Sequence, residues 1–177
     1  MKITAIIPAR GNSKRLKKKN IFELWGKPML YWAIDACNKS KYDIDIWVSS
    51  EDQEILEIVR SFNVKIVHRP EHLSQDHVYK QDVIRHAANF IKDSDIWISL
   101  QANSPTIKSE HLDKGIDTLL KYKRDEIISV DSNLMQNAAF RIFRGDYVYQ
   151  KDLSTNCGVV ICDLIDVHTM EDVNQLQ

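Results

Sequence analysis

Residues 3–20 of the chain read ITAIIPARGNSKRLKKKN, an apolar run followed at once by a basic one. Ile3 to Pro8 is rich in isoleucine, the pattern of a parallel strand buried on both faces. From Pro8 to Asn20 the chain is polar. Arg10, Lys14, Arg15, Lys17, Lys18 and Lys19 place six positive charges within ten residues, with no acid among them. Gly11, followed by small polar residues, lets backbone N–H groups turn toward an anion. Arginine suits bidentate phosphate contact, and lysine acts as a mobile point charge. A triphosphate carries about four negative charges, whereas one helix N-terminus offers only about half a positive charge. Side-chain cations are therefore needed, and this loop has them. It contains neither the GKS or GKT of a Walker loop nor a GxGxxG fingerprint. Charge alone is also compatible with a solvated basic loop. The position directly after the first strand favours a ligand site, because open α/β sheets bind ligands beyond the carboxyl ends of their strands.

Outward from this segment, strand and helix patterns alternate. Pro28 reads as lying just inside a helix that carries Met29, Leu30, Trp32, Ala33 and Ala36. Asp45 to Ser49 reads as a strand, and Ser50-Glu51-Asp52 as the cap of a helix bearing Ile55, Ile58, Val59 and Phe62. Val64 to Val67 is a third strand, and a helix surrounds Val83, Ile84, Ala87, Phe90 and Ile91. Asp95 to Leu100 is a fourth strand, and Ser109 opens a helix with Leu112, Ile116, Leu119 and Leu120 on one face. Glu126 to Val130, Phe140 to Phe143 and Val159 to Cys162 read as further strands, and Thr169 begins a terminal helix. The alternation predicts an α/β fold of three layers, with a mostly parallel sheet and helices on both faces. Residues 1–177 show no internal repeat or linker and are expected to form a single domain.

Composition narrows the function classes. The chain is 44% hydrophobic and 28% charged with a formal net charge of −1, so its bulk has no attraction for nucleic acid or membrane. A basic cluster on a nearly neutral body points to a compact anion. The N-terminus has only a short apolar run before its charges, so neither a signal peptide nor a membrane span is expected, and the expected location is cytoplasmic. Cys37, Cys157 and Cys162 fit neither a disulfide framework nor a zinc site and are expected as free, mostly buried thiols. His68, His72, His77, His86 and His111 show no metal-ligand spacing.

Six motifs in order resemble the acylneuraminate and related acidic-sugar cytidylyltransferases, a family of the Rossmann-like nucleotide-diphospho-sugar transferase fold. The run from Ile6 through Asn20 and on to Gly26-Lys27-Pro28 is similar to the family's IPARGGSK…KN…GKP, with Asn12 where a second glycine is usual. Val48 to Asp52 resembles VSTD, Arg69 to Leu73 resembles RPAEL, and Leu100 to Pro105 resembles LQPTSP. Asn156-Cys157-Gly158 resembles NGA, and Asp166 to Asp172 resembles DIDTPED.

The resemblance implies that a sugar hydroxyl attacks the α-phosphate of CTP and pyrophosphate leaves, with the protein positioning groups and neutralising charge. By resemblance, Arg10, Ser13 and Lys19 hold the triphosphate, with Gly11 in the same loop and Asn20 close to the nucleotide. Lys14 and Arg15 are secondary candidates. Arg69 is placed by the cytosine, and the backbone from Asp76 to Lys80 reads the base edge. Arg69 in a surface ion pair with Glu71 is the alternative. Gln101 touches the incoming sugar, so Arg10, Lys19 and Gln101 are the catalytic candidates. Asp166 is the implied ligand for Mg2+, a hard cation satisfied by one or two carboxylates with phosphate oxygens and water. The family's second aspartate is replaced by His168, and imidazole is a poor magnesium ligand. Asp163 is an alternative helper, and His168 itself reads as a solvated loop residue. About a dozen residues separate Phe143 from Asn156, where longer members carry an insertion that forms a dimer arm. A homodimer is implied by the family, but its usual arm is missing here.

Three functions remain open on these residues. One is CTP-dependent transfer of CMP to an acidic 2-keto sugar, sialic-acid-like or Kdo-like. Another is nucleotidyl transfer with a different nucleotide or a sugar phosphate. The last is a nucleotide-binding module or partner subunit without catalysis.

Overall fold

The computed structural model describes all 177 residues. Its centre is a seven-stranded sheet. The elements in chain order are β1 (Ile3–Pro8), a two-stranded ribbon of β2 (Glu23–Leu24) and β3 (Lys27–Pro28), α1 (Tyr31–Asn38), β4 (Ile44–Ser50), α2 (Gln53–Arg60) and β5 (Lys65–His68). There follow α3 (Lys80–Ile91), β6 (Ile96–Leu100), α4 (Ser109–Lys121), β7 (Glu126–Val130), β8 (Gln136–Arg144), β9 (Cys157–Ile161) and α5 (Met170–Leu176). The strands lie in the order β5-β4-β1-β6-β8-β7-β9. All neighbours pair in parallel except β8, which runs antiparallel to both β6 and β7.

The isoleucine-rich opening is explained by its place at the middle of this sheet. Ile3, Ala5 and Ile7 face one layer, where they pack in a cluster of 27 buried residues with α1, α2 and α4. Ile6 faces the other layer, with Ile84, Ala87 and Ala88 of α3 and with Trp97, Phe143 and Val148. A strand covered on both sides has no polar face, hence an apolar run in which Thr4 is the one polar residue, itself buried. α2 starts where expected: the Asp52 side chain accepts the Ile55 N–H at 3.1 Å. No helix is long and apolar enough to cross a membrane.

Several boundaries differ from the sequence reading: β8 and β9 begin before Phe140 and Val159, α2 ends at Arg60 ahead of Phe62, and the entry to α1 differs most. Pro28 is not in a helix but in β3, paired with Glu23, and α1 starts at Tyr31. Trp25 and Gly26 both have positive φ, 54° and 76°, the signature of a tight hairpin turn. Met29 N–H then donates to Phe22 O at 2.8 Å and Leu30 N–H to Asn20 O at 2.9 Å, which extends the ribbon before the helix can begin.

The chain moves from β1 to β4 and β5 on one side, then crosses to β6 on the other. The carboxyl ends of β1 and β6 therefore flank the point where the winding reverses, the place where such sheets leave a crevice.

Candidate nucleotide site

The crevice is real: a cleft of about 320 Å³ opens beside the end of β1 and is lined by Pro8, Arg10, Ser13, Lys19, Asn20 and Gln101, among others. Arg69 and Asp76 complete its wall on the α3 side. The structure thus brings seven of the residues singled out above into one cavity. Lys14 lines a smaller adjoining groove with Arg10, Arg15 and Asp76. Gly11 and Asp166 are not among the residues that line the cleft.

Gly11 is required by close packing. A Cβ there would sit 2.6 Å from Asp52 Cγ, far inside van der Waals contact. Its N–H donates to Glu51 Oε1 at 2.8 Å. Glu51 Oε2 accepts from Arg69 Nη2 and from Ser74 Oγ, each at 2.9 Å. One carboxylate just after β4 therefore ties the first loop to the α3-side wall of the cleft. Burial alone would raise the Glu51 carboxyl, but these donors outweigh it and hold it below the ordinary carboxylate value. The Arg69 side chain is only 4% exposed, so the surface pair with Glu71 does not form; the partner is Glu51.

Asn20 closes the loop. Its Nδ2 donates to Arg10 O at 2.9 Å, and its own carbonyl accepts from Leu30. Between these ends, Leu16 is buried with Leu24, Met29, Val167 and Val173, which pins the basic loop to the C-terminal segment. The six cations then separate. Lys18 points away and pairs with Glu54 at 2.6 Å, and Lys17 is exposed. Arg10 Nη1 donates to Asp76 Oδ1 at 2.7 Å, and Lys14 reaches the other oxygen of the same carboxylate. Lys19 is half-buried without an ion-pair partner; burial lowers its pKa, and the neighbouring Arg10 and Arg15 add to the effect. The Ser13 hydroxyl is buried and has no hydrogen-bond partner. A cation without an ion-pair partner and an unpartnered hydroxyl thus line the same cleft.

The far wall comes from the C-terminal segment. Asn103 and Val167 exchange two hydrogen bonds of 2.8 Å, which hold Asp166 and His168 against the end of β6. Asp166 Oδ1 accepts from Ser104 Oγ, and its second oxygen has no protein partner. His168, expected in solvent, instead lines the cleft and meets Arg15 Nη2 through Nδ1 at 3.4 Å. Burial, with Lys19 and Arg15 close by, lowers its pKa and favours the neutral ring. Asp163 is spent on Ser132, whose N–H it accepts at 2.8 Å. No three His, Cys, Asp or Glu side chains gather as a metal centre.

The motif reading used only the backbone of Lys80, at the end of the segment from Asp76, and gave its side chain no role. Lys80 is the first residue of α3, and its ammonium enters the cleft, donating to Gln101 Oε1 at 2.9 Å and to Ala138 O at 3.0 Å. The long side chain and the helix start were visible in the sequence. The partners, 21 and 58 residues away, were not. All three cysteines are free, with Cys37 and Cys162 buried as expected and Cys157 half-buried.

Comparison with known proteins places this geometry. The chain is 33% identical over 128 residues to N-acylneuraminate cytidylyltransferase A of Danio rerio, covering 72% of this chain and 30% of that protein. It is 34% identical over 131 residues to N-acylneuraminate cytidylyltransferase of Streptococcus agalactiae, covering 73% and 32%. The chain spans about a third of the length of these two relatives. Among solved structures, a CMP:2-keto-3-deoxy-manno-octonic acid synthetase complexed with CTP superposes with a TM-score of 0.81 at 16% identity, covering 99% of this chain and 97% of that one. That likeness is one of fold, the Rossmann-like nucleotide-diphospho-sugar transferase architecture. The sequence profile described as "Cytidylyltransferase" matches residues 4–156, and the chain belongs to that family.

Proposed function

We propose that this chain transfers CMP from CTP to an acidic 2-keto sugar and releases pyrophosphate. The observation that carries this reading is the convergence of Arg10, Lys19 and the unpartnered Ser13 hydroxyl on the cleft between β1 and β6. Arg10 and Lys19 neutralise the triphosphate, and Ser13 donates to a phosphate oxygen. Arg10 is held by Asp76 until phosphate competes for it. Arg69, fixed by Glu51, shapes the wall where the segment from Asp76 to Lys80 meets the base. Gln101, at the end of β6, faces the acceptor. The acceptor hydroxyl oxygen forms a bond to the α-phosphorus, the bond from that phosphorus to the bridging oxygen breaks, and the hydroxyl proton passes to solvent. The protein's contribution is alignment and charge neutralisation.

Magnesium, when bound, would be held by Asp166 with phosphate oxygens and water, and would offset charge on the triphosphate. The fit rests on the Asp166 oxygen that no protein donor occupies. The names of the relatives support an acidic sugar as acceptor: N-acylneuraminate in two, and pseudaminic acid in the Campylobacter jejuni enzyme, 31% identical over 68% of this chain.

The test is pyrophosphate release from CTP and magnesium with N-acetylneuraminate, pseudaminic acid and the eight-carbon keto acid in turn. Release with one acid and CTP, but not with the other nucleotides, is the expected result. A CTP-dependent rise in melting temperature without release would instead identify a binding module, since a ligand bound only by the native state stabilises it.

A further inference from the structure

Four side-chain cations line the cleft: Arg10, Lys19, Arg69 and Lys80. The nucleotide reading engages the first two with phosphate. Glu51 neutralises the third. Lys80 is left, and it has no carboxylate partner. Its ammonium is held by two neutral oxygens, Gln101 Oε1 and Ala138 O. The Ala138 carbonyl belongs to a residue with φ 56°, a conformation that non-glycine residues adopt at a cost. An ammonium has three donors, so one remains for the cleft.

A lysine held half-buried by neutral groups alone is costly in a folded protein unless an anion reaches it. Burial pushes its pKa down to about 8, with Asp166 opposing the shift and Arg141 adding to it. It therefore keeps most of its charge near neutral pH, and an arriving anion would stabilise that charge. Its contact with Gln101 sets it beside the residue that this reading turns toward the acceptor.

We propose that Lys80 binds the carboxylate of the acidic sugar within this same chain, with Gln101 held beside it to align the acceptor. This rests on the cytidylyl-transfer reading above and adds the group that selects an acid. The remaining ammonium donor makes a charge-assisted bond to the sugar carboxylate, and the two existing bonds fix the direction of that donor.

The experiment compares each sugar acid with its methyl ester, on the wild-type protein and on Lys80→Met. Binding of acid and ester is measured by calorimetry on the protein loaded with a non-hydrolysable CTP analogue, and KM and kcat by pyrophosphate release. In the wild type, losing the ligand charge is expected to weaken binding about ten- to hundredfold, the worth of a hydrogen bond to a charged group. Lys80→Met should weaken the acid by the same factor and the ester far less. In turnover the loss should appear in KM of the acceptor more than in kcat. Equal binding of acid and ester by the wild type overturns the proposal, whatever the variant does. An acid preference that persists in a folded Lys80→Met protein also overturns it. In both cases CMP transfer to the acid can still stand. Absence of acid binding by the wild type, together with no pyrophosphate release from CTP, would remove the functional reading itself and this proposal with it.

Discussion

Glu51→Ala is the perturbation whose size the structure sets most directly. The carboxylate accepts hydrogen bonds from Gly11, Arg69 and Ser74, and Arg69 is almost wholly buried beside it. Removing the acid leaves the guanidinium inside with no counter-charge, and its Nε has no partner even in the intact protein. Stranding one member of a buried pair costs about 3–5 kcal/mol, a large part of the roughly 5–15 kcal/mol that holds a domain together. With a urea m-value of about 2 kcal/mol per molar, the unfolding midpoint should fall by about 2 M. Lys18→Ala, which breaks the exposed pair with Glu54, should leave the midpoint nearly unchanged and serves as the control. The double variant Glu51→Leu with Arg69→Met should recover much of the loss, because no unpaired charge remains. The pH dependence follows from the same contacts. The folded carboxyl lies below its ordinary 4.5, so its contribution is complete above that value and is lost as pH falls below it. A Glu51→Ala midpoint indistinguishable from that of Lys18→Ala would refute this view of Glu51 as the tie between the loop and the α3-side wall.

Arg10→Ala should weaken CTP binding and turnover at least about tenfold, while Lys17→Ala, exposed and outside the cleft, should change either by less than about twofold. Titration calorimetry reads both. Gly11→Ala drives a methyl group into Asp52 and should destabilise the protein by about 1–3 kcal/mol in urea unfolding, with a matching loss of CTP affinity as the loop shifts. Asp166→Asn should raise the magnesium concentration needed for half-maximal pyrophosphate release while moving the melting temperature little, and EDTA should abolish release in the parent protein.

The sheet was legible because its strands are periodic and locally apolar. Ile3 to Pro8 sits at the centre of a doubly covered sheet, and a segment in that place is mostly apolar. The basic loop was legible because charge density needs no knowledge of contacts. Pro28 misled because a proline suits a helix start and a ribbon edge equally; the choice was made by the positive φ of Trp25 and Gly26 and by bonds to Phe22 and Asn20. Glu51 looked like part of a helix cap, and its three donors come from positions as far apart as Gly11 and Ser74. His168 looked solvated because nothing local shows that Asn103 and Val167 clamp its segment against β6. Leu16, one apolar residue among lysines, was the local sign that the loop is anchored, and its burial against Val167 and Val173 gives that sign its meaning. What escaped the sequence were contacts between distant segments, which no local pattern encodes.

The central claim is that the loop from Arg10 to Asn20 grips a triphosphate at the reversal point between β1 and β6. The most direct measurement is a crystal structure with CTP and magnesium bound. The account predicts phosphate oxygens against Arg10, Ser13 and Lys19, with Arg10 turned away from Asp76. Phosphates bound elsewhere on the protein, with the Arg10–Asp76 pair intact and the Ser13 hydroxyl still unpartnered, would contradict it.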